Sequence, residues 1–128
     1  MPNATNIDST PVQPPASDGF AAFFALADLW ALTTDQQIIL LGAPARSTFF
    51  KWKKDGGLMS SDTAERISHL LSIYKALQIL FPQALRADGW LRNPHRFFGN
   101  RPALDVMLGG RLADIIRVRD YLDAQRGG

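Results

Sequence analysis

Residues 33–57 read TTDQQIILLGAPARSTFFKWKKDGG, and this stretch decides the fold. Thr33 and Gln36 have the spacing of a capping box, in which the two side chains satisfy orphan N–H groups at a helix start. The helix they open runs through Ile38, Ile39, Leu40 and Leu41 to Gly42, a natural left-handed terminator. Pro44 suits the first turn of a second helix, because its missing N–H has no partner there in any case. That helix, Ala45 to Lys54, stops at Asp55-Gly56-Gly57. Two short helices joined by a tight glycine-containing turn have the form of a helix-turn-helix.

The second helix has two faces. Ala45, Phe49 and Trp52 are spaced to pack inward, whereas Arg46, Ser47, Thr48, Lys51, Lys53 and Lys54 lie largely elsewhere. When such a motif docks on DNA, the N-terminal residues of its second helix meet base edges. Arg46, Ser47 and Thr48 occupy that end. An arginine bonds guanine in two places, and serine or threonine bonds several bases. Lys51, Lys53 and Lys54 would neutralise phosphates without reading sequence. A solvated surface helix has the same layout, with Lys53 and Lys54 favouring the negative end of its dipole. The pattern leaves both readings open.

The pattern stays helical outward from this core. Phe20, Phe23, Phe24, Leu26, Ala27 and Trp30 crowd a preceding helix whose several apolar faces call for two neighbours. After the glycines, a long helix from about Ser61 to Leu80 carries Ala64, Ile67, Leu70, Leu71, Tyr74 and Leu77 at helical spacing. Pro82 begins a short helix ended by Gly89, and residues 90–101 read as irregular. Pro102 opens another short helix, and a last one runs from about Arg111 to Gln125. No strict alternation suggests a strand. The expected fold is all-α with about seven helices: a helix-turn-helix bundle over 18–81 and a small helical domain over 82–128. Residues 1–17, rich in Pro, Ser, Thr, Asn and Asp, read as a disordered tail open to proteolysis.

Composition narrows the function. Of the 128 residues 46% are apolar and 20% charged, which allows a real core. The net charge is only +2, so any nucleic-acid footprint must be local. With no cysteine, disulfides, thiolate metal sites and cysteine nucleophiles are excluded. The only histidines, His69 and His95, fall in no metal-ligand spacing, and Gly56-Gly57 and Gly109-Gly110 read as helix stops rather than phosphate loops. No catalytic residue, metal or cofactor is therefore expected. The start has neither the basic nor the apolar region of a secretory signal, and no apolar run approaches the roughly 20 residues needed to span a bilayer. The expected location is the cytoplasm.

The C-terminal stretch, WLRNPHRFFGNRPALDVMLGGRLADIIRVRDYLDAQRGG over residues 90–128, carries a resemblance. Its Trp90-Leu91, Asn93-Pro94, Phe98-Gly99, Arg101, Leu104-Asp105, Met107-Leu108 and Gly110 follow in a familiar order. Asp114, Val118-Arg119, Tyr121-Leu122 and Arg126-Gly127-Gly128 complete it. The pattern resembles the C-terminal toxin-binding domain of Xre/MbcA/ParS-type antitoxins, partners of RES-domain toxins. Asn100 departs from it, standing where a second small residue is expected; asparagine tolerates positive φ, so the turn should survive.

The resemblance implies an antitoxin that binds a RES-type toxin, which destroys NAD⁺, and blocks its active site. It also implies repression of the antitoxin's own operon through the helix-turn-helix. A homodimer presenting two reading helices to operator DNA, and a hetero-oligomer with toxin, are expected. Candidates for toxin contact are Trp90, Arg92, Phe98, Arg101, Arg119, Tyr121, Arg126, Gly127 and Gly128. Independently of the family, Trp, Tyr and Arg are the residues that dominate interface energetics. Trp90, Leu91 and Leu104 suit the domain's own core better than a partner. The thin end at 126–128 is suited to enter a narrow pocket. The rival readings are a stand-alone helix-turn-helix regulator without a toxin, and a protein-binding module whose helix-turn-helix no longer binds DNA.

Overall fold

The structure, a computed structural model, describes residues 16–127. Most of the tail expected at residues 1–17 lies outside the described residues, as does Gly128. Among those described, seven α-helices follow in order: α1 (Ala16–Leu29), α2 (Thr34–Leu40), α3 (Arg46–Asp55), α4 (Ser61–Leu80), α5 (Ala84–Gly89), α6 (Ala103–Met107) and α7 (Leu112–Gln125). The all-α reading holds, with one small addition. Strands β1 (Pro94–His95) and β2 (Arg101–Pro102) form an antiparallel pair between α5 and α6. Two residues per strand are too few to show alternation, so this ladder leaves no sequence pattern. Its turn needs left-handed backbone at two successive positions, and Gly99 (φ 67°) and Asn100 (φ 64°) supply it. Asn100 tolerates the conformation that the departure from the family pattern put in question.

Local chemistry sets the boundaries of the central pair. The Gln36 backbone N–H donates to Thr33 Oγ1 at 3.1 Å, and the Thr33 N–H donates to Gln36 Oε1 at 2.9 Å, so the expected capping box starts α2. At its other end Gly42 (φ 97°) and Ala43 (φ 60°) both turn left-handed. The helix α3 then begins one residue later than expected. Ala45 is its extended N-cap (φ −59°, ψ 146°) and is exposed rather than packed inward, with Pro44 ahead of it. Pro44 keeps its tolerance for a missing N–H there, but it lies outside the helix.

One hydrophobic cluster runs through the chain. It joins Phe20, Phe23, Leu26 and Trp30 of α1, Leu40, Phe49, then Ile67, Leu70, Ile73 and Leu77 of α4, and Leu104, Met107, Ile115, Val118 and Leu122 beyond. The long helix α4 is its spine, packing most extensively on α7 and next on α1. α1 lies against both α3 and α4, as its broad apolar surface requires. A polar tie crosses the same region. Arg66, 8% exposed, donates from Nη1 to the Gly110 carbonyl at 2.9 Å and from Nε to Asp62 at 2.9 Å. Asp114 fastens the start of α7: it accepts from the Arg111 backbone N–H at 3.1 Å and from its guanidinium at 3.0 Å. That guanidinium hydrogen bond holds the Asp114 carboxyl below the usual carboxylate range, against the opposing effect of burial.

Candidate functional site

Two surfaces of different chemistry stand on this core. The first is the outer face of α3. Phe49 is fully buried, and its ring meets Phe24 of α1 edge-on at 5.6 Å. Trp52 stacks on Phe20 at 4.7 Å. These two side chains seat α3 on an aromatic floor, and the helical period turns the other residues outward. Arg46, Ser47, Lys51, Lys53 and Lys54 are exposed, and Thr48 is half-buried beside Phe49. Lys53 Nζ sits 5.9 Å from the Phe24 ring, covering the floor with its stem. Lys51 and Lys54 make no ion pair among the described residues.

Two residues on this face escaped the sequence reading. Asp35, in the first turn of α2, forms an ion pair with Arg46 at 2.7 Å. Phe50 is 46% exposed, one turn beyond Arg46, whose guanidinium carbon lies 5.8 Å from its ring. The Phe50 signal was present in principle. At about 100° per residue it falls on the Arg46 and Lys54 side of the helix, not with Phe49 and Trp52.

The second surface lies where α7 meets the β1–β2 turn. Trp90 and Tyr121 stack with ring centres 6.2 Å apart, and Phe97 lies 4.6 Å from Tyr121. His95 is the clamp. Its Nδ1 accepts from the Phe97 backbone N–H at 3.1 Å, and its Nε2 lies 3.0 Å from the Tyr121 hydroxyl. In the neutral ring this arrangement puts the proton on Nε2, which donates to Tyr121. Phe97, 55% exposed, is the aromatic side chain most open to solvent here. A shallow groove of about 480 Å³ runs beside it between Ile116, Tyr121 and Ala124.

The other expected contact residues are placed unevenly. Phe98 is 1% exposed and belongs to the core, where burial of its ring leaves no face for a partner. It supports the surface instead, carrying the Arg117 guanidinium at 5.5 Å. Leu91 and Leu104 are also core, while Trp90 is half-buried. Arg92 donates to the Ala31 carbonyl beyond α1 at 3.2 Å, away from the aromatic group. Arg101 is exposed on β2. Arg119 is half-buried on the α4 side, with Asp123 Oδ2 at 3.4 Å and His69 Nδ1 at 2.9 Å. Burial first, and then the Arg119 charge, lowers the His69 pKa from its ordinary 6.5. Arg126 caps α7 and is exposed, and Gly127 follows with φ 98°. The structure thus gathers Trp90 and Tyr121, leaves Arg92 and Arg119 on other sides, and puts Arg126 and Gly127 at the tip.

A helix-turn-helix and an exposed aromatic surface thus stand on one hydrophobic core. The model of the antitoxin Xre-like helix-turn-helix domain matches residues 13–72. The model of the antitoxin Xre/MbcA/ParS C-terminal toxin-binding domain matches residues 76–128. The chain belongs to the Xre/MbcA/ParS antitoxin family, with a helix-turn-helix domain and a toxin-binding domain. It is 64% identical over 107 residues to the uncharacterised protein y4oB of Sinorhizobium fredii, covering 84% of this chain and 83% of that one. Among the described residues no helix is long and apolar enough to cross a membrane.

Proposed function

We propose that this chain neutralises a RES-type, NAD⁺-degrading toxin by covering its active site, and represses its own operon through α3. The observation that carries this reading is the separation of two unlike surfaces on one core. A basic helix face suits phosphates and base edges, and an aromatic end with arginines suits a protein partner. In this reading residues 18–81 serve DNA and residues 82–128 serve the toxin. Arg46, Ser47 and Thr48 read bases, while Lys51, Lys53 and Lys54 hold phosphates. Trp90, Phe97, Arg101, Tyr121 and Arg126 meet the toxin, with Gly127 and Gly128 entering its pocket and Phe98 bracing the surface from below. A homodimer presents two copies of α3 about one helical turn of DNA apart. The chain itself does no chemistry and acts in the cytoplasm, where both operator and NAD⁺ are found.

The test is co-expression. The neighbouring reading frame is expressed in a bacterial host with and without this chain, and growth and cellular NAD⁺ are followed. The neighbour alone should stop growth and drain NAD⁺, and this chain should restore both. A neighbour that is harmless in either case contradicts the toxin reading and leaves a stand-alone regulator. Removing residues 126–128 leaves the Leu122 contact of α7 in place, and should release toxin activity if the tip fills the pocket.

A further inference from the structure

Arg46 is the side chain on α3 best suited to choose a base, and it is not left to wander. Its Nη1 is held by Asp35 at 2.7 Å, across the helix-turn-helix from α2. Phe50 lies one turn along α3, 5.8 Å from the guanidinium carbon, within the range of a cation–π contact. The pair is well exposed, at 61% for Arg46 and 81% for Asp35, so it adds little to the stability of the fold. Its consequence is orientation. A guanidinium has five N–H donors in a rigid fork, and Asp35 engages one corner of it. The Nε–Nη2 edge remains uncommitted, and this edge offers the two parallel donors that guanine O6 and N7 accept.

We propose that Asp35 and Phe50 are positioning residues that hold Arg46 ready to read a guanine. Asp35 fixes an edge of the guanidinium and Phe50 borders the same group, so the fork is ordered before DNA arrives. Less side-chain freedom is then lost on binding. The Asp35 carboxylate is itself exposed beside Arg46, so it costs a phosphate-binding face some favourable charge that the pairing must offset. Asp35 also favours the positive end of the α2 dipole, a purely structural role, and the test must separate the two.

This inference rests on the DNA-binding reading above. A random-sequence duplex library is selected on the full-length wild-type chain. Affinities for the winning duplex and for an unrelated duplex are then compared for Asp35→Asn, Asp35→Glu, Phe50→Ala, Arg46→Ala and the double variant Asp35→Asn/Arg46→Ala. Asp35→Asn and Phe50→Ala should each weaken the selected duplex by about tenfold, spare the unrelated one, and flatten the same guanine position that Arg46→Ala flattens. Asp35→Glu should recover part of the loss, and Asp35→Asn should add nothing further once Arg46 is gone. Equal or tighter binding by Asp35→Asn overturns the proposal, tighter binding meaning that the pair competes with DNA. The same loss for Asp35→Asn in the Arg46→Ala background also overturns it, because the effect then belongs to α2 alone. A wild type that binds no duplex ends the DNA-binding reading and this proposal together, whereas a wild type that selects a sequence indifferent to Asp35 ends only the proposal.

Discussion

The face of α3 and the aromatic end of α7 both rest on buried rings, yet they are built in opposite ways. On α3 the inward rings form a floor: Phe49 is sealed, Trp52 half so, and the charges project from the far side of the helix, where Phe50 is the one exposed ring. At the α7 end the rings reach the surface. Phe97 stands 55% exposed, and Tyr121 is fixed through its hydroxyl to His95. A surface for a polyanion needs charges held at a fixed spacing and little apolar area. A surface for a protein gains from rigid aromatic anchors that shed water on contact. The same residue type therefore has different jobs in the two regions, holding the scaffold in one and offering contact in the other.

The largest expected effect breaks this comparison if it fails. Phe49→Ala should cost about 3–5 kcal/mol of stability, because a buried ring leaves a cavity. Phe97→Ala should change stability by no more than about 0.5 kcal/mol while weakening toxin capture. Thermal unfolding of both variants checks the pair. Next in size is Arg66→Met, which removes the buried tie between α4 and the Gly110 carbonyl. It should cost about 2 kcal/mol, since a hydrogen bond from a charged donor is lost and the carbonyl is left unpaired. A loss near zero would mean that packing alone joins the two regions. A smaller change sharpens the picture of the turn. Ala43 sits at φ 60°, so Ala43→Gly should gain about 1 kcal/mol by removing the left-handed penalty; a loss in chemical denaturation would show the α2–α3 turn to be held in another way.

The last effect is a matter of pH. In the folded chain the His69 pKa lies below its ordinary 6.5, because burial and Arg119 oppose its charge more than Glu65, Asp120 and Asp123 favour it. Between the lowered value and 6.5 the unfolded chain binds more protons, so stability should be greatest above pH 6.5 and decline as the pH falls through that window. His69→Gln should flatten that part of the unfolding profile. An unchanged profile would place the acid-side loss elsewhere.

What could be read in advance follows from the range of each interaction. The capping box at Thr33, the stop at Gly42, the period of α4 and the inward spacing of Phe49 and Trp52 are local, and local patterns survive in the sequence. The family likeness of residues 90–128 likewise named the region that binds a partner. Contacts between distant residues left no such trace. Asp35 meets Arg46 across a turn, and His95 meets Tyr121 from 26 positions away. Phe98, next to the exposed Phe97, looked equally available and proved to be core. Adjacent aromatics in a 3₁₀ turn point in different directions, and composition alone cannot tell which points outward. The strand pair was hidden for a similar reason, since two residues have no period.

The account stands most directly on the independence of the two surfaces. The decisive measurement is cellular NAD⁺ in a host that expresses the neighbouring toxin frame with wild-type chain, with the α3 variant Lys51→Ala/Lys54→Ala, or with the α7-end variant Phe97→Ala/Tyr121→Ala, at matched protein levels. The account predicts that the α3 variant preserves NAD⁺ as fully as wild type and that the α7-end variant does not. Loss of protection in the α3 variant, or full protection by the other, would contradict it.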